Sequence, residues 1–149
     1  MTSAATKPHQ LSLAREFSCT PETLFQCFTD GEHLIRWFAP TPNHETQFAE
    51  ADPREGGRYR IGILDRGTGA LHIVSGTYRE FVPGKRLVFS WAWEAPTDHP
   101  GNTLVTVEFQ PTAAGTRLVL VHERFPSEEM KDSHEKGWSG CLANLATLE

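Results

Sequence analysis

Few side chains of this sequence are both reactive and placed to face inward. His122 is the first of them. It alternates with Leu118 and Leu120 in TRLVLVHERF, so it shares their inner face. An inward imidazole can orient a ligand by hydrogen bonding or act as a general base near its ordinary pKa of about 6.5. More often it is a buried group satisfied by a carbonyl or a carboxylate. Glu123 is out of phase and should face solvent, while Arg124 should return to the side of His122. Tyr59 offers a hydroxyl on the opposite wall as a ligand handle, but Arg60 is out of phase with it. An acid–base site built from His122, Tyr59 and Arg60 therefore lacks convergence. His134 and Cys141 lie seven residues apart on one helix face, about 10 Å along the axis, too far for a dyad. They read as core or pocket lining. The seven histidines show no HExxH spacing, and GxSxG, GxGxxG and a phosphate loop are absent. No catalytic residue, metal ligand or cofactor is nominated.

The aromatic residues say more. Phe89, Trp91 and Trp93 share one face of RLVFSWAWE, and Trp138 lies on an apolar helical stripe running from Met130 to Leu148. Alternation nominates Tyr59, Ile61, Phe89, Trp91, Trp93, Leu118, Leu120 and His122 as strand residues lining a cavity. Trp37 and Phe38 would stand at its mouth, and Trp138, Cys141 and Leu142 would face it from the long helix. Aromatic walls with a few polar groups describe a small-molecule pocket. Taken singly, each of these residues is equally good core filling. Gly137 and Gly140 bracket Trp138, although glycine in a helix costs about 1 kcal/mol relative to alanine. They either ease packing of the helix on the sheet or leave an empty volume beside it.

The elements that position these residues follow from local pattern. LSLAREFS (11–18) alternates as a strand. Thr20 caps a helix with Pro21 at its first position and Leu24, Phe25 and Phe28 on one side. Asp30 caps a second, short helix over 31–38, which the prolines at 40 and 42 stop. Period-two segments follow at 44–51, 58–64, 70–82, 86–94, 103–111 and 116–125, with turn signals between them. Pro126 and Ser127 then open a helix of roughly 21 residues, about 32 Å long. Its stripe needs a broad apolar surface, and an antiparallel meander supplies one.

The 149 residues suit one domain with a substantial core. The net charge of −5 and the lack of a basic run disfavour nucleic acid and anionic membrane surfaces. Three cysteines, an odd number without a CxxC, fit reduced thiols in the cytoplasm. MTSAATKPHQ lacks the apolar core of a signal peptide, and no apolar run is long enough for membrane insertion. Residues 1–9 read as a flexible tail and 10–149 as the domain.

Several stretches resemble one family. They are REFSCTPETLFQCFTD with the nearby RWFAP, GGRYRI, SGTYREFVPGKRLVFSWAW, GTRLVLVHERFPSEE and HEKGWSGCLANLATLE. Together they resemble the START-like (SRPBCC, helix-grip) superfamily, and within it the activator-of-heat-shock-protein-90-ATPase homologues, over about residues 10 to 149. The resemblance implies an α+β fold. A curved antiparallel sheet of six or seven strands would wrap around the long C-terminal helix, with two short helices after the first strand and a cavity between sheet and helix. Other branches of the superfamily carry lipids, sterols or plant hormones, or cyclise polyketides. The namesake co-chaperone has a separate N-terminal chaperone-binding domain, and a chain of this length is expected to hold the START-like domain alone.

Three readings follow, in order of preference. The first is a non-catalytic binding protein for a small hydrophobic or aromatic molecule. The second is a protein-interaction module of stress response or regulation, with a protein partner. The third is an enzyme of the cyclase or aromatase kind. A homodimer through an edge strand is compatible with each.

Overall fold

A computed structural model describes residues 9–148. The elements are β1 (Leu11–Phe17), α1 (Pro21–Thr29), α2 (Gly31–Trp37), β2 (His44–Ala51), β3 (Arg58–Asp65), β4 (Leu71–Val82), β5 (Arg86–Trp93), β6 (Thr103–Pro111), β7 (Thr116–Glu123) and α3 (Glu128–Thr147). The tail expected over residues 1–9 falls outside the described residues except for His9, whose carbonyl accepts from the Phe125 N–H at 3.4 Å.

Capping chemistry sets the helix starts. Thr20 Oγ1 accepts from the Thr23 N–H at 3.2 Å, Asp30 Oδ1 from Glu32 at 2.9 Å, and Ser127 Oγ from Met130 at 3.2 Å. Each bond satisfies a first-turn N–H that has no partner within its helix.

The seven strands form one curled antiparallel sheet in the order β1-β7-β6-β5-β4-β3-β2. Strands β2 to β7 are a plain meander. β1 pairs with β7, Leu11 opposite His122 and Phe17 opposite Thr116. The inner face carries the buried strand residues. Helix α3 lies across it with Met130, His134, Trp138, Cys141, Leu142 and Leu145 buried. Leu148, expected to extend that stripe, lies past the helix end and is exposed. The short helices close one end of the interior. Phe25 and Phe28 meet Phe109 edge to face, and Trp37 packs on Phe28 at 4.8 Å.

Three departures from strict alternation matter. β2 shifts register between Thr46 and Phe48, and β4 shifts between Tyr78 and Glu80. The β4 bulge lets Tyr78 and Phe81 pack together, ring centroids 5.4 Å apart, with Phe81 also against Phe25 at 5.0 Å. At Arg124 the backbone turns left-handed, φ +75°. That turn exposes Arg124 and buries Phe125, which corrects the expectation that Arg124 returns beside His122.

The two helix glycines separate in role. A methyl group at Gly140 would overlap the Pro40 carbonyl oxygen. The close approach is thus to the loop after α2, not to the sheet. Asn144 Nδ2 donates to Ala39 O at 2.7 Å and Thr46 Oγ1 to Phe38 O at 2.7 Å, so that loop is held on both sides. At Gly137 the nearest atom to an added methyl is Pro40 Cβ at 3.7 Å, an ordinary contact. Gly140→Ala is expected to lose roughly 1–3 kcal/mol through overpacking. Gly137→Ala is expected to gain about 0.5–1 kcal/mol of helix propensity. Urea midpoints of the two variants check this. Shifts of the same sign would remove the Pro40 contact as the reason for Gly140.

Candidate functional site

The short helices fill only one end of the interior. At the other end a cavity of about 590 Å³ remains between α3 and the inner face of the sheet. That lies within the range of small-molecule sites, ~300–1,000 Å³. Its inner wall is Phe38, Trp91, Trp93, Trp138 and Cys141. The loop after α2 supplies Pro40 and Thr41, and the β5–β6 loop supplies Thr97, Asp98 and His99. His44, Ile63 and His72 come from β2, β3 and β4. Glu129, Asp132, Ser133, His134, Lys136 and Gly137 come from the N-terminal half of α3.

Behind the wall a hydrogen-bond network fixes two indoles. Trp138 Nε1–H donates to His122 Nδ1 at 3.0 Å. The proton of His122 is therefore on Nε2, which donates to Thr103 Oγ1 at 2.7 Å, and that hydroxyl donates to the Trp91 carbonyl at 3.2 Å. Trp93 Nε1–H donates to His134 Nε2 at 2.8 Å, and His134 Nδ1–H donates to Met130 O at 2.8 Å. All four ring nitrogens are engaged and both rings are neutral. Burial, then the nearby His134, holds His122 well below the usual histidine range. Burial pushes His134 down to about 4, against the Met130 carbonyl bond and with a further push from His99. Each imidazole serves as an indole anchor and has no acceptor left for a substrate proton. Burial also raises the Cys141 thiol, which disfavours the thiolate and nucleophilic chemistry.

Residues 18–148 match the family model described as "Activator of Hsp90 ATPase homolog 1-like protein". The chain belongs to this family. Among curated proteins none matches the sequence. Solved structures do. Protein CV1439 from Chromobacterium violaceum is 30% identical with a TM-score of 0.87, over 95% of this chain and 97% of that one. The AHSA1 (SPO3351) protein from Silicibacter pomeroyi is 31% identical with a TM-score of 0.80, over 93% and 95%. Protein NE0264 from Nitrosomonas europaea shares the fold at 24% identity, TM-score 0.78 and 96% of each chain. The activator-of-Hsp90-ATPase homologues adopt the START-like, helix-grip fold, and the sheet and helices described above are that fold.

In this family member the thirteen residues nominated from sequence divide. Phe38, Trp91, Trp93, Trp138 and Cys141 border the large cavity. Tyr59, Ile61 and Phe89 instead border a separate void of about 20 Å³, room for one water. The Tyr59 hydroxyl donates to Ser90 O at 2.6 Å, so it is already spent. Trp37 donates from Nε1 to Cys27 O at 3.0 Å, away from the cavity. Leu118, Leu120 and Leu142 are fully packed core, and His122 sits behind Trp91 and Trp138. Arg60 is on the outer face, gripping Glu94 with bonds of 2.8 and 2.9 Å. His122, Tyr59 and Arg60 thus do not meet at one open space. Among the described residues no group of three or more His, Cys, Asp or Glu is arranged to hold a metal ion. No helix among them is long and apolar enough to cross a membrane.

His44, His72, His99 and the charged rim line the cavity beyond the residues that periodicity nominates. For His72 a signal was present, since it is in phase with Val74 and lies opposite Ile63. For Asp98 and His99 there was none, because a loop has no period. Glu129, Asp132 and Lys136 look like any solvated helix face.

Proposed function

We propose that the protein is a non-catalytic binding module for a small apolar or aromatic molecule, held between β5 and the N-terminal half of α3. Family membership supports a ligand-binding or regulatory module in general. The observation that favours the ligand is the 590 Å³ cavity walled by three indoles and Phe38. An aromatic guest gains from burial and from edge-to-face contact with such walls, about 0.5–1.5 kcal/mol per ring pair beyond area. The saturated imidazoles of His122 and His134 and the protonated Cys141 thiol support binding without turnover. A cytoplasmic setting belongs to the same proposal and rests on the odd cysteine count.

A neutral probe tests it. 2-Naphthylmethanol is expected to bind with one-to-one stoichiometry, change the tryptophan fluorescence and raise the melting temperature. Gly137→Leu, which puts a larger side chain in the cavity lining, should abolish binding while circular dichroism shows a retained fold. Absence of saturable binding up to the probe's solubility limit would overturn the reading.

A further inference from the structure

We propose that the preferred guest is cationic: an aromatic or alkyl ammonium compound whose charge lies between the indole walls and the acidic mouth. The inference rests on the cavity being a ligand site.

Three features of the site act in the same direction. The first is the wall. Trp91 stands at 89° to Trp93 and at 44° to Trp138, with ring centroids 5.6 and 5.2 Å away. Packed against one another at these angles, the three indoles together line the cavity. Their faces carry negative quadrupole density, and a cation within about 6 Å of a ring centroid gains about 0.5–2 kcal/mol.

The second is the mouth. Glu129 and Asp132 from α3 and Asp98 from the β5–β6 loop line it, against the single ammonium of Lys136. Lys131 already holds Asp132 at 2.8 Å. Among the described residues no ion pair engages Glu129, Asp98 or Lys136, so the uncompensated balance at the mouth is acidic. Glu128 and Glu129 in the first turn also offset the positive end of the helix.

The third is the polar lining. The imidazole that backs the wall, His134, is fixed between Trp93 and Met130 in its neutral form and adds no positive charge. A carboxylate guest would meet the like charges of Glu129 and Asp98, which no ion pair among the described residues engages, at the entrance. The net charge of −5 over the whole chain favours the approach of a cation further.

The test uses the full chain and three probes of one shape: 2-naphthylmethylammonium, 2-naphthylmethanol and 2-naphthoate. Titration calorimetry at low and at high salt reads their dissociation constants. The ammonium should bind roughly three- to tenfold more tightly than the alcohol, with the carboxylate weakest and the spread narrower in high salt. Glu129→Gln combined with Asp98→Asn should lower the ammonium-to-alcohol ratio, and Lys136→Gln should raise it. Binding of the alcohol as tightly as the ammonium would overturn the charge preference and leave the cavity reading standing. Failure of all three probes would overturn both.

Discussion

His122→Ala is expected to lose roughly 3–5 kcal/mol of folding stability, the largest effect of any single substitution considered for this chain. The imidazole is 0% exposed. Truncation leaves a cavity among Trp91, Phe125, His134 and Trp138, whose ring centroids lie 4.3–6.3 Å away. It also strands the Trp138 indole N–H and one lone pair of Thr103 in a place water does not reach, at about 1–3 kcal/mol for each lost buried partner. Against a typical total of about 5–15 kcal/mol, the variant would sit near the edge of folding. Equilibrium urea denaturation measures it, and Thr103→Val serves as the partial case because it removes one hydrogen bond and little volume. A loss below 1 kcal/mol for His122→Ala would mean that the network is ornamental and the indoles are held by packing alone. A loss for Thr103→Val equal to that of His122→Ala would place the whole effect in hydrogen bonding rather than in the cavity.

That network also marks how far local sequence reasoning reaches here. Caps and alternation are local, so Thr20, Asp30, the strand phases and the α3 stripe were all legible. The placement of β1 beside β7 was not, since it joins residues about a hundred positions apart. The β4 bulge and the left-handed Arg124 were not, since one extra or one turned residue inverts every later side chain. The site followed the same division. Alternation identified Trp91 and Trp93 as inward, and the helical stripe identified Trp138. Alternation gave Phe89, Leu118 and Leu120 the same standing. Which inward residues border open space depends on what fills the remainder, and that is decided by Phe25, Phe28 and Phe109 packing at one end. The two glycines posed one question in sequence and have two answers in space. Gly140 makes room for the Pro40 carbonyl, and Gly137 borders the cavity.

The fit of both histidines as neutral indole acceptors carries a second large consequence, for pH. Stability is expected to fall steeply as pH drops from about 6.5 toward 4. In the unfolded chain both imidazoles bind protons near 6.5. In the fold His134 resists protonation until about 4, and His122 is held lower than its ordinary value as well. Between those limits the unfolded state binds more protons than the folded one, so each unit of acidification removes up to about 1.4 kcal/mol per histidine. His134 alone, at 6% exposure, accounts for roughly 3 kcal/mol across that window. Below about 4 its ring protonates in place, an Nε2–H comes to face the Trp93 N–H, and its share of the loss levels off. The lowered carboxylates of Asp65, Glu94 and Glu128 titrate beneath most of this range, so the upper part of the slope belongs to the histidines. Urea midpoints at successive pH values from 7 to 5 give the slope, and His134→Gln should flatten it while Trp93 fluorescence reports the altered anchor. A stability that stays level between pH 6.5 and 5, or rises with acid, would mean that both imidazoles bind protons in the fold as readily as in the unfolded chain, and the neutral network would have to be redrawn.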